Sequence, residues 1–355
     1  MSQLLPSGTA PFTLSVLDNA HTSVGQSASD ALEEVINLAQ LAERRGYHRF
    51  WMSEHHAMPA AATSSPQLMA ARLTAETSRI RLGAGGIMLP NHVPLVIAEQ
   101  FGMLEALAPG RIDLGVGRAP GTDLSTAAAL RRHHDANDGF GQQFGELLGF
   151  LHDDFGQGHP YRNVHAVPGP WQAAENRVPD SAGVPALWML GSSPFSARMA
   201  GELGLPYAFA LQFGDADAGT AMDLYRRSFR PSRFLAAPQT LISVGVVADQ
   251  DPDQARRETA SSAMAMLRML KRQTYALLPP HEVQAYQASP NEQAVLDSYD
   301  RRFINGTPAH VASQLERLHE QTGVDEIMLV VMGYSRQAQA RTVELLADHY
   351  NLPNQ

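Results

Sequence analysis

Eight apolar runs of strand length recur along this chain, most of them followed by a stretch with helical periodicity, and this alternation limits the fold more than any other feature. The runs are Phe12–Leu17, Tyr47–Ser53, Ile80–Leu89, Arg111–Gly117, Ala186–Leu190, Tyr207–Gln212, Thr240–Ala248 and Glu326–Met332. Strands that alternate with helices pair in parallel, because each helix carries the chain back over the sheet. Eight such units predict a closed (β/α)8 TIM barrel, with an open doubly wound sheet as the structural alternative.

The helical stretches carry their own start and stop signals. Asp30 and Glu33 form a capping-box pair ahead of Leu32, Val35, Ile36, Ala39 and Ala42, and Gly46 is the stop. Ser65-Pro66 opens a helix through Thr77, and Pro94 opens one with Ile97, Phe101, Leu104 and Ala108 on a single stripe. Further helices are expected over Pro194–Leu203, from Asp251 onward, over Pro308–Thr322 and over Arg336–Tyr350. Two stretches lack this regularity, giving irregular insertions after strands four and seven: Ala119–Pro185, with a helical piece at Phe144–Leu151, and Leu278–Gly306. No linker divides the chain and no longer repeat is visible, so residues 1–355 read as one barrel domain.

Composition removes several function classes. A 44% hydrophobic content supports a large core, and 36 acidic against 27 basic residues repel nucleic acid and anionic membrane surfaces alike. There is no cysteine, which excludes disulfides, thiolate zinc sites and cysteine nucleophiles and suits a cytoplasmic protein. Met1–Phe12 lacks a basic, then apolar, signal-peptide pattern, and no apolar run approaches the ~20 residues of a membrane helix. Lys271 is the only lysine and lies in a polar helix-like run, which argues against Schiff-base chemistry.

Chemistry in a barrel of this kind belongs where strands end and loops begin: Asp18, Glu54–His56, Gly85–His92, Gly117–Gly121, Gly191–Ser196, Gln212 and Met332–Tyr334. In the run Gly191-Ser192-Ser193-Pro194-Phe195-Ser196, Ser193 fits a helix N-cap, Pro194 the first helical position and Ser196 the third. Hydroxyls and free N–H groups there make an anion site at the positive end of the helix dipole, although on these residues alone a simple N-cap is the better explanation of Ser193. Arg118, ending the fourth strand, favours the anion, since phosphate is a bidentate partner for a guanidinium held at a barrel mouth. Glu54-His55-His56 ends the second strand, and neighbouring histidines alternate sides, so one of them faces the mouth. Metal-ligand spacing is absent, no metal is expected, and a proton-handling histidine is the better functional reading beside that of a histidine merely satisfied by its neighbours. His133-His134-Asp135 falls in the irregular insertion and is expected at the surface. Gly83-Ala84-Gly85-Gly86 lets a flat ring approach the backbone, or marks a bulge. Gly115 and Gly117 lack the third glycine of a dinucleotide fingerprint.

Taken together, these segments resemble the bacterial luciferase-like monooxygenases. The likeness rests on the run Gly46–His56 (GYHRFWMSEHH), on Thr77–Pro90, Pro94–Phe101, Pro109–Gly121 and Trp188–Ser193, and on Gly204–Ala210 and Phe229–Ser232. The resemblance implies a flavin-dependent enzyme on a (β/α)8 barrel that uses reduced flavin mononucleotide (FMN) with oxygen on a small organic substrate and commonly dimerises. It implies a flavin phosphate near Arg118, Ser192, Ser193 and Ser196, and a flavin ring against Gly85-Gly86, where family members often have a non-prolyl cis peptide. His55 matches the family's catalytic histidine and Glu54 its acidic neighbour. Luciferase itself has a reactive cysteine where this chain has Gly117, so light emission and a long-chain aldehyde substrate are not carried over. Reducing equivalents come either from NAD(P)H or through a separate flavin reductase. Three other classes compete: a deazaflavin-dependent hydride-transfer enzyme on the same fold, a flavin-binding protein without turnover, and, more distantly, a metal-dependent hydrolase.

Overall fold

The computed structural model describes residues 8–119, 122–130, 139–178, 183–213, 217–271, 273 and 276–354. Its strands are β1 (Thr13–Asp18), β2 (Arg49–Met52), β3 (Arg81–Met88), β4 (Ile112–Gly117), β5 (Ala186–Gly191), β6 (Tyr207–Ala210), β7 (Thr240–Ala248), β8 (Phe303–Gly306) and β9 (Glu326–Val331). The first seven pair in sequence order, and β7 and β1 both pair with β9, which closes an eight-stranded, all-parallel barrel. The expected fold is therefore the observed one.

Strand periodicity decides which side chains fill the barrel and which meet the helices. In β1 and β9, Leu17, Met328 and Val330 join Trp51, Trp188, Ala208 and Leu241 in a cluster inside the barrel. Their alternates Leu14, Val16, Ile327, Leu329 and Val331 belong to the larger core under the helices. Those helices begin with α1 (Ala28–Arg44), α2 (Pro66–Glu76) and α3 (Pro94–Leu107).

The insertions are more regular than the sequence suggests. The first holds α4 (Leu124–Ala129), α5 (Phe140–His152) and α6 (Pro170–Glu175). After α7 (Pro194–Glu202) comes α8 (Ala218–Ser228), which buries Ala218, Ala221, Met222 and Tyr225 in a stretch given no element above. Beyond α9 (Pro252–Leu270), the second insertion forms α10 (Pro280–Ala285), α11 (Pro290–Asp300) and β8. The ninth strand has a geometric cause: β6 covers only Thr240–Ser243 of β7, and β8 pairs with Gly245–Ala248 beyond it. Two closing helices follow, α12 (Pro308–Thr322) and α13 (Arg336–His349). The first capping box lies one turn earlier than expected, between Ser27 and Asp30, because the hydroxyl of Ser27 reaches the Asp30 N–H. His133, His134 and Asp135 lie outside the described residues. Lys271 caps the end of α9 and reaches the half-buried Glu292 and the exposed Tyr286.

At the N-terminal end of the strands the barrel floor is closed by charge. Arg49 donates to Asp113 at 2.7 Å and to both oxygens of Glu326 at 2.6 and 3.0 Å. Arg81 and the Trp51 indole N–H complete the coordination of Asp113 at 2.7 and 2.9 Å. Arg49, Asp113 and Glu326 are 2%, 0% and 0% exposed, so the attraction acts in a dry setting. Burial alone would raise the Asp113 carboxyl, but Arg49 and Arg81 outweigh it and hold it below the usual carboxylate range.

Candidate active site

The opposite, C-terminal end of the barrel opens into a cavity of about 290 Å³. All six residues expected to hold a cofactor line it: Gly85, Gly86, Arg118, Ser192, Ser193 and Ser196. Arg118 follows the last residue of β4, and its guanidinium carbon stands 4.4 Å from the ring centre of Phe195, in the first turn of α7. A cation over an aromatic face is attracted by the ring and held in place by it. The guanidinium of one βα unit and the helix start of the next therefore meet at one cavity.

Ser193 is the N-cap residue of α7 by backbone conformation, yet its side chain makes no cap bond to the helix. Pro194 removes one N–H from the first turn, and Ser196 donates its hydroxyl to the Ser193 carbonyl at 2.9 Å. The buried Ser196 is thus a brace of this turn, and only its lone pairs remain for a ligand. Tyr207 supports the same turn through the Gly191 carbonyl at 3.3 Å.

The Gly85–Gly86 peptide is cis, and the β3–β4 register shifts between Ala84 and Ile87 at this point. A β-carbon on Gly85 would lie 2.8 Å from Trp51, and one on Gly86 would lie 2.7 Å from the Gly115 carbonyl. Glycine is required by packing here, and it leaves bare backbone on the cavity wall. At Gly117 a β-carbon would come within 3.3 Å of Met88 Sδ, so that sulfur fills the space a side chain would enter.

Glu54 and His55 do not line this cavity. His55 borders a separate shallow recess formed by the loop after β2, with Ala57, Met58 and Ser64. Its Nδ1 lies 3.0 Å from the Ser53 hydroxyl and its backbone N–H donates to Thr63. Burial pushes its pKa down to about 4, against an upward pull from Glu54, so the ring is neutral at neutral pH. His21, which follows β1, is likewise pushed down to about 4 by burial, and its Nδ1 is buried without a hydrogen-bond partner.

Glu54 is 1% exposed and saturated with donors. His56 Nε2 approaches at 2.8 Å, His92 Nε2 at 2.9 Å, the Met88 N–H at 3.0 Å and Asn91 Nδ2 at 3.1 Å. Burial would raise its pKa, but the bond from His92 leads the contacts that bring it below the ordinary value. Glu54, His56 and His92 are the one group of three among the described residues with ligand atoms close enough for a metal ion. Every carboxylate oxygen already accepts protein donors, so the arrangement is a clamp tying the loop after β2 to the turn after β3.

Several neighbours escaped the sequence reading. Ser243 lies in the wholly buried β7 and donates to Gln212 at 3.0 Å on the cavity wall; a lone serine in an apolar strand is the signal that would have found it. Phe195 carries only a helix-start signal in the sequence. Asp18, expected at the mouth, is fully buried and paired with Arg336 at 2.9 Å.

A closed parallel barrel with its cavity at the C-terminal ends of the strands defines the (β/α)8 class of folds. The chain belongs to the luciferase-like monooxygenase family, whose model matches residues 12–326, and it is accordingly an oxidoreductase that incorporates oxygen. It is 38% identical over 335 residues to a luciferase-like monooxygenase of Escherichia coli (strain K12), covering 94% of this chain and 96% of that one. The crystal structure of apo-MsnO8 is 34% identical, with a TM-score of 0.85 over 97% of this chain and 100% of that one. The oxygenating constituent of 3,6-diketocamphane monooxygenase from Pseudomonas putida, solved with FMN, shares the fold at 18% identity and a TM-score of 0.69, covering 96% and 97% of the two chains.

Proposed function

We propose that this protein is an FMN-dependent monooxygenase that takes up reduced FMN as a co-substrate and oxygenates a small organic molecule. The observation that carries the reading is the meeting of Arg118 and the α7 start at a cavity walled by Gly85-Gly86. Arg118, Ser192, Ser193 and the first N–H groups of α7 hold the phosphate, with Ser196 bracing the turn, and Gly85-Gly86 receives the flavin ring. When bound, reduced flavin supplies the electrons and the site at which oxygen is activated. Leu17, Trp51, Met88 and Leu190 line the cavity and keep water from that chemistry. From the recess after β2, outside that cavity, His55 handles the substrate proton, and Glu54 holds the loop that carries it.

Reducing equivalents reach the site indirectly, from NAD(P)H through a separate flavin reductase. No dinucleotide fingerprint is present, and the FMN-bound relative of the same fold is itself an oxygenating constituent. The full chain, 1–355, acts as one domain in the cytoplasm, and no helix among the described residues is long and apolar enough to cross a membrane. Val93, Val96, Met103 and Leu107 form an exposed apolar stripe along α3 beside the exposed Leu68 of α2, which supports a homodimer through these helices.

The test compares FMN with riboflavin, which lacks the phosphate. Arg118→Ala is expected to weaken FMN by about 10- to 100-fold, the range for one charge-assisted bond, and to leave riboflavin nearly unchanged. Equal losses for both remove the phosphate assignment. His55→Ala is expected to keep FMN affinity while oxygen consumption separates from product formation. A failure of the wild type to consume oxygen with reduced FMN favours a deazaflavin hydride-transfer enzyme.

A further inference from the structure

We propose that Asn19 and Ser53 are positioning residues that fix the tautomer of His55, so that Nδ1 carries the ring proton and Nε2 presents a lone pair. This rests on the reading of His55 given above and adds the direction in which that residue moves a proton. The geometry begins in the barrel ladder. Asp18 of β1 pairs with Met52 of β2, so the next residues, Asn19 and Ser53, leave the two strands side by side. The Ser53 hydroxyl then donates to Asn19 Oδ1 at 2.7 Å and lies 3.0 Å from His55 Nδ1.

A hydroxyl has one proton, and a carboxamide oxygen only accepts. With its proton on Asn19, Ser53 turns a lone pair toward His55, and two lone pairs do not bond. Nδ1 must therefore be the donor. Asn19 is held in the orientation this requires because its Nδ2 faces Met332 Sδ at 3.9 Å, whereas the reversed amide would set oxygen against sulfur. Ser53 is 5% exposed, so water does not compete for the relay.

The charged or titratable groups acting on His55 are Glu54 and His56 beside it and His21 from the end of β1. None of the three bonds to either ring nitrogen, which leaves the choice of tautomer to Ser53. A neutral ring protonated at Nδ1 accepts at Nε2 and donates nothing there. His55 accordingly serves as an acceptor, taking a proton from substrate, and is not the group that delivers one.

Nitrogen-15 NMR of the full chain with labelled histidine, recorded without flavin near neutral pH and assigned through His55→Gln, reads the tautomer directly. The expected spectrum has the proton on Nδ1 of His55. Ser53→Thr keeps the hydroxyl and keeps the tautomer, whereas Ser53→Ala moves the majority to Nε2–H, the form a free histidine side chain favours, and lowers kcat more than it changes KM for reduced FMN. Asn19→Asp separates this assignment from the reversed amide: a carboxylate still accepts the Ser53 proton, so the tautomer stays. A proton on Nε2 in the wild type, or its appearance there in Asn19→Asp, overturns the proposal. FMN titration of the same samples is independent. Loss of the flavin reading with the tautomer intact, or the reverse, tells the two apart.

Discussion

Two arginines, one at each end of the same barrel, serve different purposes. Arg49 on the floor is 2% exposed and spends its guanidinium on Asp113 and Glu326, side chains near the starts of β4 and β9, each two strands away. Arg118 at the mouth is half-buried, stacks on Phe195 and faces a cavity. The floor is complete with the chain's own groups, while the mouth arranges groups around a space. In a (β/α)8 barrel the strand starts carry stability and the strand ends carry chemistry, and these two residues divide accordingly.

The largest effect should come from breaking the floor. Asp113→Ala leaves the buried Arg49 with Glu326 alone and strips the partly exposed Arg81 of its carboxylate, and removing one partner of such a set costs about 3–5 kcal/mol. Denaturant unfolding should show this loss, while the FMN affinity of the remaining folded protein is retained. A variant as stable as the wild type would mean that the floor charges do not hold the barrel together. Loss of FMN affinity in a stable variant would mean that floor and mouth are not separable.

Acid should act first on the buried histidines at both ends of the barrel, and on the floor carboxylate last. Burial pushes His152, beside the floor, to about 4 and lowers His48 there as well. His21 and His55 at the mouth are pushed to about 4, below the 6.5 of an unfolded histidine, so the unfolded chain binds more protons between those values. Their contribution is present above pH 6.5 and is lost as pH falls toward 4, with a slope of about 1.4 kcal/mol per pH unit for each group. On the floor, Asp113 is held below its ordinary 3.8, so its contribution persists until the pH drops beneath that value. Unfolding midpoints taken between pH 7 and 4 should decline, and His21→Gln should flatten the decline. A flat profile in the wild type would show that the mouth histidines are not held neutral by burial.

The same contrast explains what was legible in the residues. The eight barrel strands could be read because strands buried on both faces are nearly continuous apolar runs, as in Thr240–Ala248. The glycine wall and the helix start could be read because each is a local motif. β8 could not, since Phe303–Gly306 becomes a strand only because β6 stops short on β7. His92 and Asn19 could not be given partners either, because Glu54 and Ser53 are brought to them by strand pairing and not by spacing. Asp113, Arg49 and Glu326 looked like ordinary charges scattered across a long chain; only barrel closure makes them neighbours.

The smallest effect is also the sharpest separation of structure from function at the mouth. Ser193 and Ser335 both stand at helix N-caps, but the Ser335 hydroxyl accepts the Ala338 N–H at 3.1 Å whereas the Ser193 hydroxyl makes no cap bond to its helix. Ser335→Ala should therefore cost about 1–2 kcal/mol of stability, since it loses the cap and the bond the hydroxyl donates to the buried Glu258 at 3.2 Å. Ser193→Ala should stay within about 0.5 kcal/mol of the wild type, as substitutions that break no bond do, yet weaken FMN by roughly 2- to 10-fold, the worth of one neutral hydrogen bond. Thermal unfolding and FMN titration on the two variants decide it. If Ser193→Ala loses as much stability as Ser335→Ala and binds FMN as tightly as the wild type, the hydroxyl belongs to the helix, and the anion site reduces to Arg118 and backbone N–H groups.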